Sequence, residues 1–121
     1  MDGGDPGKWL SFLQLPGFVA DWKALDLDDE SLRELELLLV ERPDAGAVVA
    51  GTGGMRKVRF SPGAWARGKS GAARVGYACF LRAGTIVLMA AFGKSEKANF
   101  SAAERNALKQ VVTRLRQSLG E

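Results

Sequence analysis

The stretch ARVGYACFLRAGTIVLMAAFG, Ala73 to Gly93, decides the architecture. Two apolar runs of strand length, Ala73 to Leu81 and Thr85 to Gly93, flank Arg82-Ala83-Gly84, a short glycine-containing connection that predicts a β-hairpin. Upstream, Met55 to Phe60 reads as a further strand, entered through the turn Gly51-Thr52-Gly53-Gly54 at the end of a loop, Asp44 to Gly54. Ser61 to Ala72 carries Pro62, Gly63, Gly68 and Gly71 without apolar periodicity and is expected to be a mobile, cationic loop. Downstream, Ser101 and Glu104 form a capping-box signature, and Leu108, Val111, Val112, Leu115 and Leu119 recur at helical spacing, so the chain closes with an amphipathic helix.

The N-terminal part adds a strand over Lys8 to Leu15, ended at Pro16-Gly17. Phe18, Trp22 and Leu25 follow at helical spacing, giving a short helix that stops near Leu27. Asp28 is placed to N-cap a second helix, with Asp29 and Glu30 favourable at its positive end. Leu32, Leu35, Leu38 and Leu39 form its apolar stripe, and Pro43 ends it. The order β-α-α-β-β-β-α lacks βαβ alternation. It predicts an α+β fold, an antiparallel sheet of about four strands packed with two N-terminal helices and one C-terminal helix. The 121 residues fit one domain over 1–121, with MDGGDPG at 1–7 expected to be a disordered lead-in.

Charge is strongly segregated. From Met55 to Lys97 there are nine Lys or Arg against the single acid Glu96, whereas Asp21 to Asp44 holds nine acids against Lys23, Arg33 and Arg42. The net charge of +3 therefore hides a dipole, with one face suited to a polyanion and an acidic segment available to a basic partner. Histidine is absent, which removes the usual acid–base group near neutral pH and both Ser-His and Cys-His triads. The lone Cys79 excludes an internal disulfide and Cys-based metal sites, and no metal or cofactor is expected. No run approaches the roughly 20 apolar residues of a membrane span, and 1–7 is unlike a signal peptide, so a cytoplasmic location is expected.

Strand parity sorts the cations. In Met55 to Phe60, Lys57 and Arg59 share one face, and Arg56, Val58 and Phe60 share the other. In the next strand Val75, Tyr77 and Cys79 point to the core, leaving Arg74 opposite them beside Gly76 and Ala78. Lys57, Arg59 and Arg74 are thus expected on the exposed sheet face, with Lys69 and Lys94 at the rim. Tyr77 is expected to pack. Trp65, on the glycine-rich loop, is placed either to stack on a base or to anchor the loop.

The segments GTGGMRKVRF, GAWARGKSGAARVGY and AFGKSEKANFSAAERNAL, in this order and spacing, resemble the RelE/HigB-like toxins of bacterial type II toxin-antitoxin modules, over Lys8 to Leu119. The resemblance implies a metal-independent, ribosome-dependent endoribonuclease, an mRNA interferase in which the 2′-hydroxyl attacks the adjacent phosphate and cations stabilise the developing charge. It places the catalytic positions on Lys57, Arg59, Arg74 and Lys94. Arg56, Arg67, Lys69, Lys97 and Trp65 are the corresponding RNA-binding candidates. It also implies a cognate antitoxin, often of helix-turn-helix type, with operator DNA reached only through it; ribosome and mRNA are the remaining partners, and no membrane is involved.

The chain departs from the best-known branch at Ser95, where an arginine is usual, and at Phe100, where a tyrosine is usual. The general base must then come from Lys57, Lys69, Glu96 or Tyr77. Two other functions fit the sequence: a gyrase-inhibiting toxin of the ParE kind, which needs no catalytic cations, and a non-catalytic RNA-binding regulatory module.

Overall fold

In the computed structural model, which describes residues 10–63, 72–93 and 99–121, the central hairpin forms from the two apolar runs. β4 (Ala73–Phe80) and β5 (Thr85–Phe92) pair antiparallel. A single 3-10 turn, Leu81–Ala83, joins them, and Gly84 takes a left-handed φ of 63°. The side chain of Glu121 closes this end, accepting from the Ala83 N–H at 2.9 Å and, more weakly, from Arg82.

Around the hairpin stand β1 (Ser11–Gln14), α1 (Pro16–Ala24), α2 (Asp29–Glu41), β2 (Ala47–Val48), β3 (Arg56–Phe60) and α3 (Ala102–Leu119). The α+β class stands, but the sheet has five strands in the order β1-β5-β4-β3-β2 and is mixed. β1 runs parallel to β5, Ser11 opposite Thr85 and Gln14 opposite Leu88. This corrects the expected antiparallel sheet of about four strands. Periodicity reports which residues lie in a strand and which face they share, but it carries no information on the direction of a neighbour some seventy residues away. The extra strand β2 lies inside the segment read as loop. It pairs with β3 through Ala47 opposite Lys57 and Val48 opposite Arg56.

Local chemistry explains the helix boundaries. Pro16, expected to end a strand, also opens α1 as its first residue, where its missing N–H costs nothing. The Asp28 carboxylate accepts from the Ser31 N–H at 2.8 Å and caps α2. The Ser101–Glu104 capping box is complete, and Gly120 ends α3 with a φ of 69°. At β5 the register shifts: Gly76 opposes Ala90 while Tyr77 opposes Leu88, so Met89 is an extra residue that lets Ala90 and Phe92 face the same side as Gly76 and Arg74.

Both sheet faces bury apolar side chains. On one, Val58, Phe60, Val75, Tyr77, Ile86, Leu88 and Ala91 meet Phe18 and Trp22 of α1 and Leu35 and Leu39 of α2. On the other, Met55, Ala78, Phe80, Val87 and Met89 meet Val112 of α3, with Leu108, Val111, Leu115 and Leu119 half-buried beside it. The face that parity predicted to be exposed is therefore covered by α3 at one end, and the cationic residues lie at the other.

Candidate functional site

β3 and β4 set out the cationic side chains by register. Lys57 opposes Gly76, and Arg59 opposes Arg74. Arg74 in turn opposes Phe92 of β5. Directly opposed residues on an antiparallel pair place their Cβ atoms about 4.5–5.5 Å apart, where like charges are destabilising. Arg59 is exposed and Arg74 half-exposed. Among the described residues no carboxylate pairs with either; Arg74 Nη1 donates to the Ala72 carbonyl at 2.8 Å, which steadies the guanidinium while leaving most of its donors directed elsewhere. Gly76, between these cations, is buried beneath Met55, whose Sδ a Cβ there would meet at 3.2 Å.

An aromatic pair borders the patch. Phe92 and Phe100 meet edge to face with centroids 5.6 Å apart, and Lys57 Nζ lies 5.9 Å from the Phe100 ring centre. Phe100 thus packs against the α3-side core and carries a lysine on its face. The site is a small cationic surface with an apolar flank, suited to a phosphodiester and an adjacent base or sugar.

Other predicted residues lie elsewhere. Arg56 is on the opposite face from Lys57, as parity requires, where its Nη1 donates to the Gly46 carbonyl at 2.7 Å; this ties β3 to the loop before β2. Lys94, Arg67, Lys69, Lys97 and Trp65, together with the 1–7 lead-in and most of the Ser61–Ala72 loop, lie outside the described residues. The acidic segment is partly consumed by the fold. Besides the Asp28 cap, Asp21 accepts from the Ala91 N–H at 3.0 Å beyond the end of β1, and Glu34 accepts from the Gly63 N–H at 3.0 Å, fixing the start of the cationic segment.

Tyr77 is fully buried, and its hydroxyl is doubly occupied, donating to the Pro43 carbonyl at 2.8 Å and accepting from the Gly46 N–H at 2.8 Å. Burial pushes this phenol above its ordinary value of 10.0, the Gly46 N–H offsetting part of the effect. Burial likewise raises the Cys79 thiol above 9.0. Both groups are acids whose neutral form the fold prefers. Their contribution is fully present below the unfolded-state values and is lost as pH rises through and beyond them. The melting temperature should therefore hold through neutral pH and fall above about pH 9, with Cys79→Ala moving the onset upward. Thermal melts by circular dichroism across the alkaline range check this, and a flat profile contradicts it.

The apolar stripe of α3 predicts its buried face but says nothing of the cations beside it. Arg105, Lys109 and Arg116 lie on one flank of α3 beside the turn at Gly51–Gly54. Their spacing of four and seven residues was the available signal. No family model matches the chain. Among the described residues no helix is long and apolar enough to cross a membrane.

Proposed function

We propose that this protein is the toxin of a type II toxin-antitoxin pair, an endoribonuclease of the RelE/HigB kind that cleaves mRNA on the ribosome. The observation that carries this reading is the direct opposition of Arg59 and Arg74 on one sheet face, with Lys57 in the adjacent row. A like-charged pair across strands costs stability, and an anion bound between the side chains repays that cost. The resemblance of the three quoted segments supports the same reading from the sequence.

In the proposed reaction the substrate 2′-oxygen forms a bond to the adjacent phosphorus while the bond to the 5′-oxygen breaks, leaving a 2′,3′-cyclic phosphate and a 5′-hydroxyl. Arg59 and Arg74 hold the non-bridging oxygens and stabilise the added charge in the transition state. Among the described residues Lys57 is the proton carrier, taking the 2′-hydroxyl proton and passing one to the leaving 5′-oxygen, since a guanidinium does not give up its proton and Tyr77 is bonded away on the other face; Lys69 and Glu96, outside the described residues, are the other candidates. Phe100, half-buried and backed by the buried Phe92, offers the apolar flank against which a base or sugar packs. The partners are the ribosome, mRNA and a cognate antitoxin, with operator DNA engaged only through the antitoxin; the site of action is the cytoplasm.

Primer extension on a reporter mRNA in a purified translation system tests the proposal. Cuts at defined positions that require ribosomes are expected from the wild-type protein. A folded protein that makes no cuts but inhibits gyrase supercoiling would be a gyrase poison instead. One that binds RNA without cutting would be a regulatory module.

A further inference from the structure

The turn between β2 and β3 and the flank of α3 form a second cationic surface. Thr52 is fully buried; its hydroxyl donates to the Val49 carbonyl at 2.7 Å and accepts from the Met55 N–H at 3.0 Å, which pins the turn. The three glycines around it, at positive φ, face outward to three cations, one each. A Cβ at Gly51 would lie 3.6 Å from Arg105 Cδ, one at Gly53 3.4 Å from Lys109 Cγ, and one at Gly54 3.6 Å from Arg116 Nη2. At 3.6 residues per turn these cations fall within about 40° of one another and span about 16 Å of the helix. They form a rail rather than a scatter.

Two of the three are held in place. Arg105 Nε donates to the Phe100 carbonyl at 3.2 Å. Arg116 Nη2 donates to the Gly53 carbonyl at 3.3 Å, and its guanidinium lies 5.6 Å from the Phe80 ring centre. The one acid of α3, Glu104, is turned back into the capping box. Gly51, Ala102, Arg105, Asn106 and Lys109 line a shallow groove of about 550 Å³. Phe100 joins the two surfaces: its ring carries Lys57 of the sheet face, and its carbonyl holds Arg105 of the rail.

We propose that this groove and rail carry the sugar–phosphate backbone of single-stranded RNA as it runs on from the sheet face, so that Arg105, Lys109 and Arg116 extend the strand-binding surface. The proposal rests on the RNA-cleaving reading for its ligand. It adds a second set of contacts, made by α3 and the glycine turn, which the reactive face does not contain. The occupant is a polyanionic strand because the rail is cationic and lacks a carboxylate on its own flank.

The test is equilibrium binding of an unstructured RNA oligonucleotide, without ribosomes, as a function of salt. Three sheet-face and three rail cations together give a log–log slope of about −4, against about −2 for the sheet face alone, at roughly −0.7 per phosphate on a single strand. The double variant R105Q/K109Q should bring the slope to about −3 and weaken binding at low salt by roughly tenfold or more. Arg114→Gln, which removes one positive charge from the far side of α3, should leave the slope unchanged.

Equal losses per charge removed in the two variants would mean a diffuse charge effect and would overturn the rail. So would a loss seen only on vacant ribosomes, which assigns the groove to ribosomal RNA, or only with an acidic peptide copied from Asp26 to Asp44, which assigns it to protein. Cleavage is scored separately. A wild-type protein that cuts nothing, yet shows the slope change, would remove the nuclease reading and leave the rail standing. Normal cleavage with no slope change would do the reverse.

Discussion

Arg74→Ala is expected to lower ribosome-dependent mRNA cleavage by about 10²–10³-fold, the usual loss when one preorganised donor to a developing oxyanion is removed. Arg74 opposes both Arg59 and Phe92, so it stands at the centre of the patch, and its one hydrogen bond among the described residues is to the Ala72 carbonyl. Losing that partly exposed bond should change stability by no more than about 1 kcal/mol. Removing a like charge from opposite Arg59 returns some of it. The expected result is therefore a protein that melts near the wild-type temperature and cuts poorly. Arg74→Lys should recover part of the rate, because a lysine supplies charge without the planar fork. Primer extension beside a thermal melt checks both halves. Full cleavage by the alanine variant would remove the sheet face from the chemistry.

Tyr77→Phe should do the opposite. Removing the phenol oxygen leaves the Gly46 N–H without its acceptor inside the core, and Pro43 keeps only a weak contact with Cys79 Sγ at 3.4 Å. A loss of about 2–3 kcal/mol follows, since an orphaned buried group costs its full desolvation. For a chain of this size that is a drop of about 7–12 °C in melting temperature. Cleavage measured below the new melt should stay close to wild type, because Tyr77 lies on the α1–α2 side of the sheet and Lys57, Arg59 and Arg74 lie on the other. If Tyr77 were the general base, the rate would instead fall by about 10²–10⁴-fold. The two variants thus separate a residue that holds the scaffold from one that meets the substrate.

Much of the site was legible from side-chain alternation alone. Lys57 and Arg59 share a face because they are two residues apart in a strand, and Arg74 faces away from Val75 and Tyr77 for the same reason. That Arg59 and Arg74 are direct partners was not legible. Register between two strands depends on the turn and on the packing of both faces, and the connecting segment has no pattern that fixes it. The same limit hid the rail. The apolar stripe of α3 is visible in the sequence, but which flank meets the glycine turn follows from how the helix docks on Met55, Phe80 and Val87.

By itself the sequence determined the helices, the N-caps of α2 and α3, the hairpin of β4 and β5, the two faces of β3 and β4, and the segregation of charge. These depend on periods of two and 3.6 residues and on a few local hydrogen bonds, such as Asp28 to Ser31 and Ser101 to Glu104. Only the tertiary structure decided that β1 runs parallel beside β5, that Ala47–Val48 adds a fifth strand, and that α3 covers one end of the sheet face that carries Lys57, Arg59 and Arg74 while bringing its own cations to Gly51, Gly53 and Gly54. Those outcomes are set by contacts between segments far apart in the chain, where burying apolar surface on both sides of one sheet chooses among arrangements that local propensity leaves equal.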